Sequence, residues 1–115
     1  MRAVVTAKAR RDLFIILATS RSQFGQSAQR RYRFLVQQAI ADLADDPRRP
    51  GVTRPDGMPD GVWLYHSRHA QSRAPEDQRV RRPRHVLVFR LSGDDVEILR
   101  VLHDAMDFPS HMADL

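Results

Sequence analysis

The stretch RHVLVFRLSGDDVEILRVLHD, residues 84–104, decides the fold of this 115-residue chain. His85 to Leu91 is apolar on both faces and rich in β-branched and aromatic residues, which predicts a central β-strand. The polar run from Ser92 to Asp95 contains a glycine and predicts a hairpin turn. Val96 to His103 is again mostly apolar and predicts the partner strand. We therefore expect this hairpin at the centre of an antiparallel sheet.

The chain before this hairpin is mainly helical in its periodicity. Ala3 to Ala7 predicts a short N-terminal strand, and residues 9–20 repeat apolar side chains at helical intervals, which predicts a first helix. A break around Gly25 separates it from a second helix, whose wide apolar stripe ends before Pro47. The stripe consists of Phe24, Ala28, Tyr32, Leu35, Val36, Ile40, Leu43 and Ala44. Two such helices joined by a short turn form a helical hairpin.

The remaining segments complete an α+β pattern. Residues 47–61 are rich in proline and glycine and predict a loop with a short edge strand near Val52, after which Val62 to His66 predicts a strand. Residues 67–84 contain six arginines and no helical period, so we expect a mobile basic loop. A short C-terminal helix is expected to bury Phe108, Met112 and Leu115. The prediction is an N-terminal strand, a helical hairpin packed on one face of a small antiparallel sheet, and a short C-terminal helix, with the other face open to a partner.

Composition excludes several classes of protein. The length fits one domain over residues 1–115, and the absence of cysteine excludes a disulfide scaffold, a thiolate zinc site and a cysteine nucleophile. The longest apolar run, Leu13 to Ala18, is far shorter than the ~20 residues that cross a bilayer. The N-terminus lacks the pattern of a signal peptide. We expect a cytoplasmic protein with no membrane contact and no metal or other cofactor.

Charge and histidines supply the candidate site residues. The net charge is +5, with basic residues concentrated in 1–40 and 61–90 and acidic residues in 91–115, which indicates an anionic partner. His103 ends the last strand and has the pKa range of a general acid or base. The alternative is a purely structural role, in which a half-buried His103 is hydrogen-bonded to Asp104 or Asp107. Trp63 is expected to pack in the core, with stacking on nucleic-acid bases as the alternative.

Taken together, these segments resemble the RelE/ParE superfamily of toxins from bacterial toxin–antitoxin modules. The segments that carry the resemblance are Ala9-Asp12-Leu13, Phe24-Gly25, Arg31-Tyr32, Leu35, Ile40–Leu43, Asp46-Pro47, Tyr65-His66-Ser67-Arg68, Arg82–Arg90 and Val96–Asp107. Their order and spacing match over nearly the whole chain. The ending ILRVLHDAMD, residues 98–107, is similar to the ParE branch in particular.

The resemblance implies the toxin of a type II toxin–antitoxin pair, of the kind known as a plasmid stabilisation system. Members of the ParE branch inhibit DNA gyrase without being nucleases, and a cognate antitoxin neutralises them by direct binding in a hetero-oligomer. We expect acidic residues of the antitoxin to pair with Arg68, Arg84, Arg90 and Arg100. The C-terminal segment 103–115, including His103, Asp104 and Asp107, is expected to contribute to the target contact. On this expectation the protein contacts nucleic acid only indirectly, through its partners.

Two alternatives stay open. The first is a RelE-like, ribosome-dependent mRNA endonuclease, in which Arg82 and Arg90 stabilise the phosphate and His103 transfers a proton. Nucleases of that branch use lysine and arginine clusters with a late tyrosine, whereas this chain has one lysine, Lys8, and no tyrosine after Tyr65. The second alternative, from composition alone, is a small basic module that binds nucleic acid.

Overall fold

The computed structural model describes residues 1–112 and has the α+β architecture that the sequence predicts. Its strands and α-helices are β1 (Arg2–Val5), α1 (Ala7–Phe24), α2 (Gln26–Asp45), β2 (Val52–Thr53), β3 (Val62–His66), β4 (His85–Ser92), β5 (Asp95–His103) and α3 (Phe108–His111). Two 3₁₀ helices, Ser67–Arg73 and Glu76–Gln78, lie between β3 and β4. Residues 113–115 lie outside the described residues. They include Leu115, which the sequence predicts to be buried, and the end of segment 103–115.

The five strands form one mixed sheet in the order β1-β5-β4-β3-β2. The predicted β4–β5 hairpin lies near its centre, and β3 pairs antiparallel with β4 as expected. β1, however, runs parallel to β5, with Ala3 opposite Val96. The expectation of a wholly antiparallel sheet is corrected in this one pair. The cause is the helical hairpin, which returns the chain to the end of the sheet where β1 began.

The two helices are joined at a single residue. Thr6 caps α1, because its hydroxyl oxygen accepts from the Ala9 amide at 3.3 Å and donates to the Leu99 carbonyl at 3.1 Å. Gly25 ends α1 and begins α2 with a φ of +94°, a backbone conformation that side-chain-bearing residues rarely adopt. Glycine at this position therefore lets two long helices follow one another with no intervening loop.

A β-bulge in β5 distributes the apolar residues over both faces of the sheet. Val88 pairs with Arg100 while the next residue, Phe89, pairs with Ile98, so Leu99 has no partner in the register. As a result Val101 lies on the same face as Ile98, in the core under the helices, and Leu102 on the same face as Leu99, in the core on the opposite side. The core under the helices also includes Ala9, Leu35, Ala39, Leu43, Tyr65, Leu87, Phe89 and Val96.

The opposite face of the sheet is covered by the chain itself. Met58 from the β2–β3 loop and Met112 from the C-terminal segment are both buried there, with Phe108 packed beside them. They cover Val62, Leu64, Val86, Val88, Leu99 and Leu102. The expectation that this face is open to a partner is therefore wrong, because short stretches flanking the sheet supply enough apolar side chains to cover it.

Residues 67–84 are ordered by contacts with α2, contrary to the expected mobile loop. The first 3₁₀ helix buries Ser67 and Ala70, which are three residues apart as that helix type requires. Arg73 at its end pairs with Asp42 of α2, a carboxylate that is only 2% exposed. A 3₁₀ helix that buries only two small residues has no pattern of apolar side chains by which it could be recognised. The sequence of this segment is therefore similar to that of a solvated loop.

Candidate functional site

Three strands bring their histidines to one end of the sheet. His85 opens β4 directly opposite His103 at the end of β5, and His66 closes β3 opposite Val86. The rings of His85 and His103 meet edge to face, with their centroids 5.5 Å apart. We call the resulting group the histidine cluster. Its members are Tyr32, His66, Arg84, His85, His103 and Asp104.

The inner half of the histidine cluster is a Tyr32–His85 pair. The Tyr32 hydroxyl is hydrogen-bonded to Nδ1 of His85 and also accepts from the Arg84 amide at 3.2 Å. Burial, aided by the nearby His103, lowers the pKa of His85 to about 4, while burial raises the pKa of Tyr32. At neutral pH, therefore, a protonated hydroxyl donates to a neutral imidazole, and this pair ties α2 to the start of β4.

Asp104 organises the outer half of the cluster. Its carboxylate accepts from His66 Nε2 at 3.0 Å and lies 3.3 Å from Nη2 of Arg84. The hydrogen bond from His66 is the main cause that lowers the pKa of Asp104. Because His66 Nδ1 accepts from the Arg68 amide at 3.0 Å, the proton of the neutral ring resides on Nε2, the nitrogen that faces Asp104.

His103 is the most accessible ring of the cluster. Its side chain is 39% exposed, beside an Arg84 side chain that is more than half exposed. Nδ1 of His103 accepts from the Ala105 amide at 3.1 Å and is 3.6 Å from Asp104. Such an arrangement can hold an anion between a guanidinium and an imidazole, or transfer a proton at the imidazole. It also agrees with the structural role for His103 beside Asp104.

The other predicted site residues are not members of the histidine cluster. Arg90 is paired with Glu97, Nε to Oε1, at 3.3 Å. Arg100 is 17% exposed and bonded to Asp12 of α1. Arg68 and Arg82 are exposed and form no ion pair within residues 1–112, and Asp107 is an exposed residue just before α3. The structure thus brings Arg84, His103 and Asp104 together and places Arg90 and Arg100 elsewhere.

Sequence reasoning missed the part that Tyr32 plays in the cluster. The helical periodicity placed Tyr32 in the apolar stripe of α2, and it does pack against the core. The signal was its hydroxyl, since a buried tyrosine usually finds a hydrogen-bond partner. Nothing local shows that the partner would be His85, which lies 53 residues later.

Two surface depressions lie outside the cluster. The larger, about 430 Å³, runs between α2 and the second 3₁₀ helix, and we call it the basic groove. It is lined by Ser27, Arg30, Arg31, Phe34, Ala74, Pro75 and Gln78. The smaller, about 280 Å³, is lined by Pro47, Arg48, Val52, Trp63, Phe89 and Leu91. Trp63 is 38% exposed there, so it lies at the edge of the core rather than within it.

Within residues 1–112, no group of three or more His, Cys, Asp or Glu side chains is arranged to hold a metal ion. Over the same residues, no helix has the length and apolar character needed to cross a membrane.

Comparison with known proteins identifies the family. Residues 3–108 match the family model of the ParE toxin of type II toxin–antitoxin system, parDE. Among solved structures, the chain is similar to one from P. aeruginosa described as a chromosomal ParDE TA system. The TM-score is 0.59 at 23% identity, over 90% of this chain and 95% of that one. The comparison with curated proteins found no match. The chain thus belongs to the ParE toxin family of type II toxin–antitoxin systems.

Proposed function

We propose that this chain is a toxin that inhibits DNA gyrase by binding it and that a cognate antitoxin neutralises it by direct contact. The family match over residues 3–108 is the observation that carries the proposal. On this proposal the protein acts in the cytoplasm, as part of a hetero-oligomer with its antitoxin, and is not an enzyme. The likeness to the P. aeruginosa structure supports the fold on which the proposal depends.

The antitoxin contact is proposed at three exposed arginines. Arg68 forms no ion pair within residues 1–112, and the side chains of Arg84 and Arg90 are more than half exposed despite their pairs with Asp104 and Glu97. Exposed pairs of this kind are weak, so an acidic partner can replace the internal carboxylate at small cost. Arg100 enters the proposal less directly, because its guanidinium already holds Asp12.

The target contact is proposed at the start of the C-terminal segment, at His103, Asp104 and Asp107. Asp107 is exposed, and His103 and Asp104 are each accessible by a quarter or more of their side chains. This surface meets the proposed antitoxin contact at Arg84, which lies 3.3 Å from Asp104, so the two partners would compete there. Since Asp104 also holds Arg84 and His66, its replacement would disturb the antitoxin contact as well.

RNA cleavage is the second candidate function, and the juxtaposition of His103 and Arg84 favours it. In that mechanism the imidazole of His103 would transfer a proton to or from a ribose oxygen, and the guanidinium of Arg84 would stabilise the phosphate. Arg82 is exposed in the same strand-leading segment and could add to the phosphate contact. Five residues of β4, His85 to Phe89, separate Arg90 from Arg84, so Arg90 would act only on a longer stretch of RNA.

One paired assay separates the two functions. Purified toxin would be added to a gyrase supercoiling reaction and, separately, to ribosomes translating a defined mRNA. We expect supercoiling to be inhibited, added antitoxin to restore it, and the mRNA to remain intact. His103→Ala should then weaken inhibition without creating any cleavage. Intact supercoiling together with a cut transcript would contradict the proposal and establish the second candidate.

A further inference from the structure

We infer that the basic groove between α2 and the second 3₁₀ helix is a docking site for an acidic amphipathic segment of the antitoxin. The inference rests on the proposed function, since it assigns a second surface to the same partner. It differs from the contact at Arg68, Arg84 and Arg90 in position and in chemistry, because the groove combines an apolar floor with its cations. A groove of about 430 Å³ has room for one or two large side chains.

The floor of the groove indicates a protein partner. Phe34 of α2 is 44% exposed within it, while Ala74 is nearly buried and Pro75 lies beside it. Exposed aromatic surface in a concave site is typical of the sockets that receive an apolar anchor from a partner. A nucleic-acid backbone would use the cations of this groove but would leave the apolar floor without a complementary group.

The rim of the groove indicates the charge of that partner. Arg30 and Arg31 project from α2 as its charged lining residues, with no acidic residue in the lining. Arg30 makes a long hydrogen bond of 3.4 Å to Ser27, and neither arginine forms an ion pair within the described chain. Glu76 and Asp77 are exposed residues of the second 3₁₀ helix, on the opposite side of the groove, and are not part of its lining. Carboxylates of the partner are therefore attracted to the α2 side and repelled from the other, which fixes the orientation of the segment.

The opposite wall is held in place before any partner arrives. Arg79 donates from Nε to the Ala74 carbonyl at 2.9 Å and from Nη2 to the Ser72 carbonyl at 3.3 Å. Gln71 donates to the Val80 carbonyl at 2.7 Å, and Arg73 is anchored to Asp42. Because these contacts fix the wall against α2, binding would lose little conformational entropy on the toxin side.

The experiment compares groove variants with matched variants elsewhere on the hairpin. Binding of the wild-type chain to its cognate antitoxin would be measured by calorimetric titration. Phe34→Ala and the double variant Arg30→Glu/Arg31→Ala change the groove. The controls are Phe24→Ala and Arg10→Glu/Arg11→Ala, which make the same changes at exposed side chains outside the groove. Circular dichroism would confirm that all four variants are folded.

We expect each groove variant to weaken binding by about tenfold or more and each control to leave binding within about twofold. The double groove variant should also bind with a smaller dependence on salt, because two charge contacts are lost. Groove and control variants that bind alike would overturn the inference while leaving the proposed function intact. A wild-type chain that does not bind the antitoxin at all would overturn both. Displacement of the antitoxin by a 20-nucleotide single strand, abolished by Phe34→Ala, would assign the groove to nucleic acid instead.

Discussion

Asp12 of α1 accepts three hydrogen bonds from β5, and two of them come from Arg100. Nε and Nη2 of Arg100 approach the two carboxylate oxygens at 2.8 and 3.0 Å, and the Val101 amide donates to the same group at 2.9 Å. The Asp12 and Arg100 side chains are 14% and 17% exposed. A two-pronged pair of this geometry joins the first turns of α1 to the edge of β5 just beyond the end of β1.

We predict that Asp12→Ala lowers the free energy of unfolding by about 2–3 kcal/mol, because it removes the acceptor of three hydrogen bonds from a partly buried guanidinium and a backbone amide. Chemical denaturation would measure the effect. Arg100→Ala should cost less when Asp12 is already absent, and the double-mutant cycle should show a coupling of about 1 kcal/mol or more. Additive costs would mean that the pair contributes nothing to stability beyond its separate side chains.

A second prediction, on the pH dependence of stability, follows from the pKa of His85. Its folded value of about 4 is below the usual 6.5, so between these values the unfolded chain binds the proton more readily. The free energy of unfolding should therefore fall as the pH drops from 6.5 to 4, by up to about 1.4 kcal/mol per pH unit for this group. His69, whose pKa is also lowered by burial, acts in the same direction.

The comparison with His85→Asn isolates the contribution of His85. Asparagine can present an oxygen near the position of Nδ1 and keep the hydrogen bond from Tyr32, but it does not titrate. Denaturation curves at pH 7, 6, 5 and 4 should be flatter for this variant than for the wild type. Parallel curves for the two proteins would show that His85 binds its proton equally well in the folded and unfolded states.

A third prediction concerns the buried carboxylate of Asp42. It accepts from the Tyr65 hydroxyl at 3.0 Å and from Gln38 Nε2 at 3.3 Å, and it pairs with Arg73. Burial and the hydrogen bond to Asp42 raise the pKa of Tyr65 to about 12. Asp42→Asn should lower the free energy of unfolding by about 2–4 kcal/mol, since the charge of the buried acceptor is lost.

Ultraviolet titration supplies a second measure of Asp42→Asn. Removing the carboxylate should shift the pKa of Tyr65 from about 12 towards the usual 10. The control is Asp45→Asn, an exposed position on the same helix, which should change stability by no more than about 0.5 kcal/mol. An unchanged Tyr65 titration in Asp42→Asn would contradict the proposed hydrogen bond.

A fourth prediction compares two glycines with positive φ. A Cβ at Gly51 would lie 2.8 Å from Nε2 of His69, whose ring stacks on Tyr65 at 5.2 Å between centroids. At Gly61 a Cβ would meet nothing within 4 Å. Both alanine substitutions impose backbone strain of roughly 1–2 kcal/mol, but Gly51→Ala should cost more because it also displaces the ring. Thermal melts of the two variants would test the difference, and equal melting temperatures would refute it.

The elements that the sequence predicts well are those whose signal is local. The β4–β5 hairpin can be predicted because His85 to Leu91 is mostly apolar and Gly93 indicates the turn. The long α2 is readable from its stripe. By contrast, the bulge at Leu99 changes the face of the sheet on which each later residue of β5 lies. The residue type at that position does not predict a bulge.

The candidate site is less predictable because it depends on distant pairs. In the sequence, nothing distinguishes Arg100 from Arg84 or Arg90. Only the fold shows that the guanidinium of Arg100 is hydrogen-bonded to Asp12, 88 residues earlier. His103 is predicted from its place at the end of the last strand, whereas Arg84 and Asp104 are predicted as contact residues from the resemblance. The contacts among them depend on the register between β4 and β5, which aligns His85 with His103.

The parallel pairing of β1 with β5 also has a consequence for synthesis on the ribosome. Residues 2–5 leave the ribosome long before their partners in the sheet, which lie 93 residues later. Until Asp95–Ile98 has been translated, the nascent chain can form its helical hairpin but has no strand for β1 to join. Pairing over so large a sequence separation is slow because the entropy of closing the loop is lost first. Residues 2–5 are thus among the last to be placed in the sheet, and a chain cut short before Asp95 has no partner strand for β1.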